Sequence, residues 1–173
     1  FLGHEHRELG NYPEMIKRYE QLVSKYPKSP LVLDAYLVLG AYRFDKQDLR
    51  GAKSYYQKIL DSPKSASHPM AHFKMGWVFL NETDFKEAMY HFEKAVTVEE
   101  QIEKTSRAEE ARLVNVRREA MVDLAYAYTE VRKPAGSLKY FRKLSKSRVE
   151  YLLAVNKLAR RYLVKQEFRP AAM

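Results

Sequence analysis

The chain copies one pattern onto itself. Tyr36-Leu37-Val38-Leu39-Gly40 is followed by Ala52-Lys53-Ser54-Tyr55-Tyr56-Gln57-Lys58-Ile59-Leu60, and His72-Phe73-Lys74-Met75-Gly76 by Ala88-Met89-Tyr90-His91-Phe92-Glu93-Lys94-Ala95-Val96. In both, an apolar-Gly pair precedes an Ala by twelve residues, an aromatic follows four later, and an apolar residue stands three beyond that. Leu2-Gly3 precedes Met15, Tyr19 and Leu22 at the same spacings, Leu124-Ala125 precedes Ser137, Phe141 and Leu144, and Leu158-Ala159 precedes Ala171. From Gly3 to Gly40, Gly76, Ala125 and Ala159 the steps are 37, 36, 49 and 34 residues. A fixed period of this size means stacked supersecondary units that bury their apolar faces against one another.

Spacings of three and four put side chains on one helical face, so each unit reads as a hairpin of two helices. The small residue (Gly3, Gly40, Gly76, Ala125 or Ala159) lets two helices approach closely, and the Ala that opens the second helix (Ala52, Ala88, Ala171) does the same from the other side. The aromatic then fills the gap between them. Gly10-Asn11-Tyr12, Thr83-Asp84-Phe85 and Gln166-Glu167-Phe168 are polar turns closed by an aromatic. Pro27 and Pro63 end second helices because proline cannot continue the hydrogen-bond ladder, while Pro30 and Pro69 suit the first turn of the next helix.

These residues resemble the tetratricopeptide repeat across nearly all of the chain. The resemblance implies an all-α fold: a solenoid of antiparallel helix hairpins wound as a right-handed superhelix, with about four full repeats plus partial terminal ones. The repeats fall at 1–29 (partial), 30–65, 66–105, 106–147 (with an inserted helix extension) and 148–173 (partial), one array over 1–173. Both ends fall inside repeats, so the expectation is a piece of a longer protein. Helices are expected at 1–9, 12–26, 31–45, 48–61, 69–81, from 85, near 108–132, at 135–145, at 148–164 and from 167. The charged stretch from Val98 to Asn115 has no Pro or Gly and should lengthen the helices on either side of it. Departures are Arg43 where an aromatic is usual, Ser137 for Ala, and Pro134 where the turn aromatic belongs.

Composition agrees. Six Gly, seven Pro and 31% charged residues suit helices better than a β-sandwich. An apolar fraction of 46%, with 13 Tyr, 8 Phe and 1 Trp, argues against disorder. The absence of Cys removes disulfides, thiolate metal sites and cysteine nucleophiles. No apolar run approaches the ~18 residues of a membrane span.

Sites of chemistry are sparse. Glu99-Glu100, Glu103 and Glu109-Glu110 read as a solvated helix face. His68 and His72 have metal-ligand spacing, but no third ligand stands near them. His4 and His6 read as surface residues, and His91 as packing or solvated. No phosphate-cradling glycine loop or nucleophile elbow occurs. No catalytic residue, cofactor or metal is therefore assigned, and the chain reads as a non-enzyme.

In the tetratricopeptide family the first helix of each hairpin lines a concave groove for peptides or partner helices. The matching positions are Leu37, Ala41 and Phe44; Met70, Phe73, Trp77, Leu80 and Asn81; Val122, Tyr126 and Glu130; and Asn156, Arg160 and Leu163. Their middle is apolar and aromatic, the composition of protein-binding anchors. Two readings stand: a partner protein or peptide lies there, or another part of the protein covers it. Members that clamp the acidic C-terminus of chaperones carry Lys, Asn, Asn, Lys and Arg where this chain has Leu37, Ala41, Asn81, Glu119 and Asp123. Only the Asn is shared, which argues against such a clamp. The run Tyr26-Pro27-Lys28-Ser29-Pro30 through Asp34-Ala35-Tyr36 further resembles bacterial envelope and periplasmic members of the family, which implies an envelope, motility or pilus-related assembly, with the cytoplasm as the alternative setting.

The net charge of +9 is local. Residues 1–134 hold 21 Lys and Arg against 20 Asp and Glu, whereas residues 135–173 hold ten against two. The basic patch comprises Lys139, Arg142, Lys143, Lys146, Arg148, Lys157, Arg161 and Lys165, besides Arg160 and Arg169. It raises an alternative, the binding of nucleic acid or another anionic surface, or a structural part of a larger envelope protein. A protein partner is the leading reading.

Overall fold

The computed structural model describes residues 12–63, 65–98 and 107–165, and among them eight helices and no strand. They are α1 Tyr12–Lys25, α2 Val32–Asp45, α3 Leu49–Leu60, α4 Ser67–Asn81, α5 Phe85–Thr97, α6 Arg107–Val131, α7 Ser137–Leu144 and α8 Arg148–Val164. Where the expected helices fall on described residues, the observed boundaries lie within a few residues of them. The expected helix at 1–9, the middle of the charged insertion and the helix from 167 lie outside the described residues, as do Glu99, Glu100, Glu103, His4 and His6. The insertion lengthens only the helix that follows it: α6 has 25 residues against 14 in α2 and 15 in α4, whereas α5, expected to lengthen too, is helical for 13 residues to Thr97. No helix among the described residues is long and apolar enough to cross a membrane.

The chain divides after Ser62 into two compact units. In the first, α2 packs against α1 and α3. Gly40 and Tyr56 are both buried, and a Cβ added at Gly40 would lie 2.9 Å from Tyr56 Cδ1. The glycine is thus a steric requirement of the aromatic beneath it. Arg43, which replaces the usual aromatic, reaches Asp48 at 3.4 Å and Glu20 at 3.7 Å. It substitutes polar bridges between α1, α2 and the turn for an apolar contact.

The second unit repeats the device. A Cβ at Gly76 would lie 2.5 Å from Phe92 Cε1, and Ala125 and Phe141 are likewise fully buried. Phe73, Phe92, Leu124, Phe141, Leu158 and Tyr162 belong to one core that runs through α4, α5, α6, α7 and α8. Each such side chain contributes about 2 kcal/mol by leaving water.

The turns are also copies. Gln47 and Thr83 both have φ near 60°, and the Asp that follows each caps the next helix: Asp48 Oδ1 accepts from Gly51 N at 2.9 Å, Asp84 Oδ1 from Glu87 N at 3.2 Å. In the next hairpin Gly136, at φ 85°, takes the left-handed position.

Candidate protein-docking face

Within the second unit α6 packs against both α4 and α8, so the first helices of three successive hairpins stand side by side. Trp77 is 38% exposed on α4. Its ring meets Phe92 edge-on at 6.4 Å, and its indole lies near enough to the Asp123 carboxyl of α6 to favour that group's charged form. One turn along, Asn81 Nδ2 donates to the Trp77 carbonyl at 2.9 Å. The indole is therefore open on one side and held on the other.

Burial pushes the Asp123 carboxyl up to about 6; Lys157 opposes that rise, Glu119 adds to it, and the nearby Trp77 indole lowers it. Next along α6, the Tyr126 ring lies under two cations of α8, Arg161 at 4.2 Å and Lys157 at 5.6 Å. Arg161 Nη2 then binds Glu130 Oε1 at 2.6 Å, and Lys165 Nζ binds Glu130 Oε2 at 3.0 Å and the Thr129 carbonyl at 2.6 Å. Burial would raise the Glu130 carboxyl, but hydrogen bonds from Lys165 and Arg161 bring it below its usual range. The result is a run of cation–π and ionic contacts, from Tyr126 through Lys157 and Arg161 to Glu130, that ties α6 to α8.

The anticipated groove residues separate by burial. Leu37 and Phe73 are core; Phe44, Met70, Leu80, Val122 and Tyr126 are half-buried; Trp77, Asn81, Asn156 and Arg160 are exposed. Phe73 stands against Phe92 at 5.9 Å and supports the face from below. Asp123 carries more than its sequence position conveys, since spacing within α6 says nothing of a tryptophan on α4. The basic residues separate too. Arg161 and Lys165 are tied to Glu130, and Lys157 faces Asp123, whereas Lys139, Arg142, Lys143, Lys146 and Arg148 are exposed.

The histidines take positions unlike those their spacing suggests. His68 is buried, with Nδ1 accepting from Ser65 N at 3.1 Å. His72 turns to α5, where its Nδ1 lies 3.0 Å from His91 Nδ1, and Phe79 stacks on His91 at 5.3 Å. Burial, with the facing His91, drives the His72 ring down to about 3, and burial drives His91 down to about 4. One neutral ring donates to the other. No group of three or more His, Asp or Glu that could hold a metal ion occurs among the described residues.

A family model described as a tetratricopeptide repeat matches residues 6–29. No curated protein matches the chain. Together with eight helices in repeated hairpins and no strand among the described residues, that match fits an all-α helical repeat of the tetratricopeptide type.

Proposed function

We infer that the chain is a non-catalytic scaffold that holds a peptide or helix of a protein partner against the face built by α4, α6 and α8. Tetratricopeptide repeats generally mediate protein–protein interaction. The observation that carries the reading to this face is Trp77: a large aromatic, 38% exposed, beside Asp123 and backed by Phe92. Exposed, pre-oriented aromatics are the usual anchors of protein recognition, because little side-chain entropy remains to be lost on binding. Tyr126, Asn156 and Arg160 continue the face toward α8. We read residues 1–173 as one array of repeats, and the Tyr26-Pro27-Lys28-Ser29-Pro30 run supports a bacterial envelope setting. Against the nucleic-acid alternative, Arg161 and Lys165 are already matched by Glu130.

Peptides selected on this chain from a random display library test the assignment. Trp77→Ala and Tyr126→Ala should each weaken the selected peptides by about tenfold or more. Unchanged binding by both folded variants would contradict it.

A further inference from the structure

Helix α6 sets two carboxylates next to the exposed tryptophan of α4. Glu119 is exposed and Asp123 half-buried. Four residues apart, they share one helical face, and Asp123 lies beside the Trp77 indole. The chain shows elsewhere how it completes an aromatic ring that stands near a carboxylate. Tyr126 and Glu130 of α6 are again four residues apart, and Arg161 serves both at once. Its guanidinium lies 4.2 Å from the Tyr126 ring centroid and binds Glu130 Oε1 at 2.6 Å. Tyr42, Tyr55, Tyr90, Tyr140 and Tyr151 also lie under a Lys or Arg of the chain. Among the described residues no cation lies over Trp77, although indole is the ring that attracts one best. Nor, among the described residues, does any cation close an ion pair on Glu119 or Asp123. Lys157 acts on Asp123 as a neighbouring charge, but its ammonium lies over Tyr126. Glu119 pushes the Asp123 carboxyl up, so a further cation would relieve a repulsion that the fold leaves standing.

We propose that the docking face takes an arginine side chain of the protein partner, seated on the Trp77 indole with its guanidinium turned to Asp123 and Glu119. The inference rests on the reading of this face as the docking site for a peptide or helix, and it names the group that reaches Trp77. Charge complementarity selects a cation. Arginine fits better than lysine, because a planar guanidinium stacks on an aromatic ring while it forks onto a carboxylate. The partner thereby completes between α4 and α6 the arrangement of ring, cation and carboxylate that Arg161 completes between α6 and α8.

Peptides selected on the intact chain from a random display library test this. They are synthesised with acetylated N-termini, so that no terminal ammonium can stand in for a side chain, and binding is followed by fluorescence anisotropy. The expected result is an arginine at one fixed position of the selected peptides. Replacing it with citrulline, which keeps the shape and loses the charge, should weaken binding about tenfold or more. Lysine at that position should recover part of the loss. On the Glu119→Gln/Asp123→Asn variant the arginine and citrulline peptides should bind alike, because both changes remove one shared interaction. Glu119→Lys alone, at an exposed position, should cost the arginine peptide about tenfold and spare the citrulline peptide. Circular dichroism should show unchanged helix content in both variants. Suppose the peptides lose affinity with Trp77→Ala and Tyr126→Ala, yet carry no fixed arginine or bind the acid-neutralised variant as tightly as the parent. That result would overturn the arginine site and leave the docking face standing. Peptides indifferent to both Trp77→Ala and Tyr126→Ala would overturn the docking face, and the arginine site with it.

Discussion

Arg117 Nε donates to Glu150 Oε1 at 3.1 Å, with the two side chains only 4% and 6% exposed. The same guanidinium donates to the Val96 and Leu144 carbonyls, and Glu150 Oε2 accepts from Lys146 N at 2.8 Å. One arginine thereby satisfies the carbonyl ends of α5 and α7 and orders the start of α8. Without it, the carbonyls of Val96 and Leu144 would lose this donor and buried Glu150 its charged partner. Arg117→Met should cost about 3–5 kcal/mol, because it strands Glu150 away from water. Adding Glu150→Leu should recover part of that loss. Denaturant unfolding of the single and double variants measures the coupling, and simple additivity would show that the pair does not act as a unit.

Thr83 presents the opposite case, a residue that works against its own turn. It is β-branched and held at φ 60°, a region such side chains avoid. Thr83→Gly should raise stability by about 0.5–1 kcal/mol. Asp84→Ala should lower it by about 1 kcal/mol through loss of the cap on Glu87 N. Thermal unfolding reads both signs.

His72 and His91 make the second unit sensitive to acid. Both rings are held neutral well below their ordinary value of 6.5, down to about 3 and about 4. The unfolded chain takes up protons that the folded one refuses, so their contribution is complete above pH 6.5 and is lost as pH falls toward 4. The double variant His72→Leu/His91→Phe should show a flatter stability profile over that window. Parallel profiles for parent and variant would refute the assignment.

Asp123 has the reverse sign. Its carboxyl is raised from 3.8 to about 6, so its contribution to stability is complete below pH 3.8 and lost as pH rises through about 6. Because the Trp77 indole lies beside it, tryptophan emission should titrate with a midpoint near 6, and Asp123→Asn should abolish that transition. An Asn variant with the same midpoint would place the titrating group elsewhere.

The hairpins were legible because their determinants are local and repeated. Gly40 over Tyr56 and Gly76 over Phe92 recur at a step of 36 residues, and helix periodicity does the rest. Arg117 was not legible: Val96, Leu144 and Glu150 come from three separate stretches, and nothing local requires an arginine there. A signal was present nonetheless, since Arg117 lies one residue past Val116 and four before Met121, in the buried stripe of α6, and Glu150 stands alone among cations. The nearness of Trp77 to Asp123 and the approach of His72 to His91 depend likewise on how neighbouring helices are set against each other. Of the docking face, residue types and register could be read; which members stay open to solvent could not, because packing decided that Phe73 went under and Trp77 stayed out.

Trp77 is the only tryptophan in the chain, so its emission reports directly on the face that α4, α6 and α8 build. The decisive measurement is the fluorescence of the intact chain titrated with a tryptophan-free peptide selected for binding to it. Occupation of the face predicts a blue-shifted emission that saturates with the same Kd as binding measured independently, together with loss of quenching by iodide. Tight binding that leaves the emission and its quenching unchanged would contradict the account.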